Sequence, residues 1–169
     1  MSSSVSQARA LFASMPDQVF NEWLVERIES AGWPPVGPRW NALLGGYTSD
    51  TWATFSWNQE ELDLYNLTYS KESIRIIKGL SEARFGGVEN AYASIERSEE
   101  RMRRIHQYVK STRKLPGSVV LIDGPPWEII DGCHRITMYV GWIRNKELAG
   151  GVDRLQKAWV ARPPRDALA

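Results

Sequence analysis

Residues 118–142, SVVLIDGPPWEIIDGCHRITMYVGW, change their hydrophobic period part-way, and that change decides what kind of fold the chain can adopt. SVVLI is an apolar run, DGPP is turn-forming, and WEII is a second short run, so the stretch predicts two strands joined as a hairpin. Beyond Gly132 the apolar residues Ile136, Tyr139, Val140 and Ile143 return at helical spacing. Asp131, Gly132, Cys133, His134 and Arg135 therefore occupy a strand-to-helix turn, which holds the chain's single cysteine and one of its two histidines.

Upstream, residues 5–31 read as helix. Val5, Ala8, Leu11 and Phe12 are spaced for one face, and Val19, Phe20, Trp23, Leu24 and Ile28 for another, with Pro16 between them, Ser14 as a candidate cap and Gly32 as a stop. Residues 32–62 combine proline and glycine with Trp33, Trp40, Trp52 and Trp57, which predicts an irregular but not disordered segment whose indoles either close it onto the main core or form a platform for a base or ligand. The run 62–80 carries alternating and β-branched residues and reads as one or two strands, best at Ile74 to Lys78. A long helix is expected from Val88 to about Lys110, with Val88, Ala91, Ile95, Met102, Ile105 and Val109 on one stripe. KAWVA (157–161) reads as a last strand. The resulting plan is α+β, with a helical, tryptophan-rich subdomain at 1–60, a main domain at 61–162 and a tail at 163–169.

Composition narrows the partners. At 169 residues the chain can bury a real core, and 43% apolar with 24% charged residues fits a folded protein. A net charge of +1 gives no global attraction to nucleic acid or membrane, so any such binding needs a local patch. One cysteine excludes an internal disulfide and a cysteine-rich zinc cluster. No export signal or spanning segment is evident, so a soluble, cytoplasmic protein without a membrane partner is expected; nothing sets its oligomeric state.

The turn has its own chemistry. Free N–H groups at a helix start attract anions, Gly132 allows close backbone approach, Arg135 carries a planar fork for phosphate oxygens, and His134 can donate or accept a proton. Asp131 can cap the helix or hold magnesium beside nucleotide phosphates. Cys133 is either a nucleophile, its pKa lowered by the helix start, Arg135 and His134, or a small buried residue under the turn.

The segment IIDGCHRITMY resembles the signature of the ParB/sulfiredoxin superfamily, in which Asp-Gly-x-His-Arg or Gly-Gly-Cys-His-Arg lies between a hairpin strand and a helix. The resemblance spans roughly residues 70–162 and is strong at 128–140. It implies a ParB/sulfiredoxin-like α+β nucleotide-binding domain, with Gly132, His134 and Arg135 holding the phosphates of ATP or a related nucleotide, magnesium on Asp131, and Asp131, Cys133 and His134 as the catalytic candidates. Cys133 matches the sulfiredoxin thiol. Asp131, however, stands where sulfiredoxins carry glycine and is closer to ParB-like proteins and free-serine kinases, and the sulfiredoxin aromatic run is missing. The resemblance thus favours phosphate binding, with cleavage or transfer of phosphate, over sulfinic acid reduction.

A second reading starts from Arg101, Arg103, Arg104, Lys110, Arg113 and Lys114, with no acid among residues 101–114. These cations are either a solvated helix end or a strip for a DNA backbone. On the same fold they fit a plasmid- or phage-type protein that acts on DNA, as a binder or nuclease, or inhibits a protein partner, as fertility-inhibition proteins do. A silent interaction module is a third reading.

Overall fold

A computed structural model of the chain describes residues 2–85, 98–146 and 151–164, with the side chains of 83–85 left aside. It is a mixed α+β protein built around a four-stranded sheet. The chain divides into two compact units, one made of Met1–Asn58 with Trp159–Ala169 and the other of Gln59–Ala158.

The first unit follows the apolar periodicity of its sequence. Helix α1 (Ser3–Leu11) is capped by Ser2, whose side chain accepts from Val5 N. A second helical run comprises α2 (Asp17–Val19), a π-helical turn at Phe20–Leu24 and α3 (Val25–Ala31), and it stops at Gly32 with φ 83°. Pro16, not Ser14, stands at the cap of that run, and Ser14 Oγ instead donates to Ala53 O at 3.3 Å. Short helices α4 (Pro38–Leu43) and α5 (Ser49–Ala53) follow. Trp23 stacks on Trp52 at 5.4 Å, and Trp52 stacks on Phe55 at 5.2 Å. The buried indoles of Trp40 and Trp52 donate to Gly32 O at 3.0 Å and Leu44 O at 2.8 Å, so these large side chains enter the core without losing their hydrogen bonds.

Strand β1 (Ser56–Leu62) and helix α6 (Lys71–Phe85) come next, and both correct the sequence reading. Residues 74–78 are helical. Ser70 Oγ accepts from Ser73 N at 3.0 Å, Glu72 lies in the first turn and pairs with Arg75, and Ser73 and Leu80 are buried seven positions apart. Capping and a 3.6-residue period outweigh the β preference of three isoleucines. β1 escapes the pattern for the opposite reason: Asn58, Gln59, Glu60 and Glu61 are poor strand formers, tolerated on an edge strand.

Helix α7 (Ser98–Thr112) buries Met102, Ile105 and Val109 as its stripe requires, while the expected positions Val88, Ala91 and Ile95 lie outside the described residues. Strands β2 (Val119–Ile122) and β3 (Glu128–Asp131) form the expected antiparallel hairpin, helix α8 (Cys133–Asn145) follows, and β4 (Gln156–Arg162) completes the sheet in the order β1-β4-β2-β3. All four residues of β2 are buried, which suits an inner strand. β4 starts in the second unit and ends in the first, where Trp159 Nε1 donates to Gln18 Oε1 at 3.0 Å. Of the tail expected at 163–169, residues 165–169 lie outside the described residues. Among the described residues no helix is long and apolar enough to cross a membrane.

Candidate functional site

The site is prepared by an irregularity in the hairpin. Val120 pairs with Asp131 and Leu121 with Ile129, so the ladder passes over Ile130. Such a bulge bends a strand and re-aims the residues beyond it, which here are Asp131 and the turn into α8. Gly132 is the N-cap of α8, left-handed at φ 95° and ψ 20°. A Cβ on it would lie 2.7 Å from Val119 Cγ1 and 3.2 Å from Arg135 Nε, so the glycine is explained by packing under β2.

Asp131 does not cap the helix; no side-chain hydrogen bond caps α8. Its Oδ2 accepts from Arg135 NH2 at 2.7 Å, while Arg135 NH1 donates to Pro116 O and Ser118 O, each at 3.0 Å. The fork expected to face phosphate thus has both terminal nitrogens on protein oxygens, and the Arg135 side chain is only 17% exposed. It fastens the end of β3 to the segment leading into β2.

Cys133 opens α8 half-buried. Burial, with Asp131 and then Glu128 adding negative charge, pushes its thiol up to about 12; its own backbone N–H and Arg135 offset this only in part. The lowered pKa expected of a nucleophile is therefore reversed. Arg135, the cation expected to activate the thiol, is turned towards Asp131.

His134 is the member of the turn that reaches another element. Its Nε2 lies 3.0 Å from Ser98 Oγ on α7, and Ser98 is only 6% exposed. Burial, then Arg101 and Arg135, hold the imidazole below its ordinary pKa against an opposing pull from Asp131, so it is neutral at pH 7. The Arg101 charge of α7 is thus felt at one half-buried ring beside an uncapped helix start, while the Arg135 charge is paired with Asp131. Sequence reasoning missed Ser98, because a serine in RSEE carries no mark of a partner 36 positions away.

The basic residues of α7 and of the two positions after it are dispersed by comparison. Arg104 pairs with Glu100, Arg113 with Asp153 at 3.3 Å and Lys114 with Glu61 at 3.2 Å. Arg101, Arg103 and Lys110 are exposed and have no ion pair among the described residues. No group of three or more His, Cys, Asp or Glu side chains suited to a metal ion occurs among the described residues. With one Asp131 oxygen on Arg135, the chain's own donors fit magnesium only as a companion of bound phosphates.

Comparison with family models, curated proteins and solved structures gave no match. The resemblance to the ParB/sulfiredoxin superfamily accordingly rests on the Asp131–Arg135 segment and its place between a hairpin and a helix.

Proposed function

We propose that this chain binds the phosphates of a nucleotide, ATP or a relative, at the start of α8, and cleaves or transfers the terminal phosphate. The observation that carries the reading is the meeting of α7 and α8 at the Ser98–His134 hydrogen bond, with Arg101 and an uncapped helix start beside it. The backbone N–H groups of the first turn of α8 and the Arg101 guanidinium supply charge neutralisation, and neutral His134 serves as the proton acceptor. Magnesium, carried in with the phosphates and touching the chain through Asp131, would add further neutralisation. Arg135 is a positioning residue in this scheme, since its donors hold the turn. Sulfinic acid reduction is disfavoured because a thiol pushed up to about 12 is a poor nucleophile.

A thermal-shift panel of ATP, GTP, CTP and UTP, with and without magnesium, tests the reading. Stabilisation by at least one nucleotide at concentrations well above its Kd is expected; no shift with any of the four overturns it. The second reading, contact with a nucleic-acid backbone, draws on Arg101, Arg103 and Lys110, the exposed α7 cations without ion pairs among the described residues. It predicts retention on DNA that weakens steeply with salt.

A further inference from the structure

We infer that Ser98 is itself a phosphoryl acceptor, so that the chain modifies its own α7 with a nucleoside triphosphate as donor. The inference rests on the nucleotide reading and deepens it by naming what receives the phosphate. Ser98 Oγ is hydrogen-bonded to His134 Nε2 at 3.0 Å, within the reach a general base needs. With the imidazole proton on Nδ1, Nε2 accepts from the hydroxyl, the pairing that activates a serine. Ser98 is only 6% exposed, which withholds its hydroxyl from bulk water. Arg101, one turn further along α7, is exposed and free of ion pairs among the described residues, as a group that meets an incoming phosphate should be. No other hydroxyl is held against a histidine among the described residues.

In the step, Ser98 Oγ forms a bond to the γ-phosphorus. The bond from that phosphorus to the bridging oxygen breaks, the nucleoside diphosphate leaves with the electron pair, and the hydroxyl proton passes to His134 Nε2. The products are phosphoserine at position 98 and a diphosphate, and no oxidant or reductant is required.

The test incubates the full chain with magnesium and each γ-labelled triphosphate that stabilises it, then maps the label by peptide mass spectrometry. Label on Ser98 is expected, absent in Ser98→Ala and slower by at least ~100-fold in His134→Gln. Ser98→Thr guards against a misfolded alanine variant, because it should carry phosphothreonine at the same position. A protein that binds a nucleotide yet leaves residue 98 unlabelled, or is labelled elsewhere, overturns this inference while the nucleotide reading stands. If no nucleotide stabilises the chain, both fall.

Discussion

Gly132, left-handed at φ 95° as a bend at the turn requires, shows how one residue can be legible in the sequence while a second physical reason for it is not. Its place at a turn follows from the change of hydrophobic period, but its lack of a side chain answers to Val119. Gly132→Ala should cost about 2–4 kcal/mol in urea unfolding, from a left-handed Cβ and an overpacked contact. Adding Val119→Ala should restore the contact part alone. Cys133 follows similar logic: adjacency to His134 and Arg135 in sequence implied activation, whereas burial and Asp131 prevail. Its alkylation by iodoacetamide at pH 8 should be slower in the native protein than in urea by ~100-fold or more, and Cys133→Ala should retain nucleotide binding; a fast native reaction would contradict the assignment. For His134 the folded pKa lies below the unfolded one, so its contribution to stability is present above about pH 6.5 and is lost as pH falls towards the folded value. His134→Gln should flatten that acid limb of the thermal melting profile.

The hairpin, α8, β4 and the stripe of α7 could be read from their apolar residues, because each buries either a continuous apolar run, as β2 does, or a recurrent apolar face. α6 and β1 could not. In α6 the decisive signals are a capping serine and salt-paired wet residues, which compete with β-branched composition, and in β1 a polar edge strand draws its stability from a neighbour distant in sequence. The half of the site contributed by α7 was hidden for the same reason, since the Ser98–His134 contact belongs to tertiary packing. The two functional readings part company on this helix. Arg101→Ala should weaken nucleotide binding by ~1.5–3 kcal/mol, the scale of a hydrogen bond to a charged group, while Arg103→Ala leaves it unchanged by calorimetry. Equal losses from both, together with a reduced salt slope on DNA, would favour the nucleic-acid reading.

At the scale of the molecule, the first unit is completed by a segment far along the chain. Val160 and Ala161 are buried, and Trp159 reaches Gln18. A chain stopped after Ala158 should therefore lose the near-ultraviolet circular dichroism of the Trp23–Trp52 stack and unfold with a broadened transition. An unchanged spectrum would mean that the N-terminal unit stands without its last strand. In the second unit, Asp63 binds the Arg154 guanidinium and the Tyr139 hydroxyl, joining the loop after β1 to α8 and to the approach to β4. Apolar pattern alone contained no trace of this polar clasp.

The position of β4 between β1 and β2 also sets an order of events on the ribosome. β1 is complete at Leu62, but the strand that pairs with it ends only at Arg162. At ~5–20 residues per second, a nascent chain would carry β1 unpaired for roughly five to twenty seconds. The glutamates and amides that made β1 hard to recognise are what an open edge needs over such a wait, because they discourage pairing with neighbouring chains. The all-apolar β2 has no such protection on the side that β4 will occupy, which makes it the segment where a chaperone would be expected to bind.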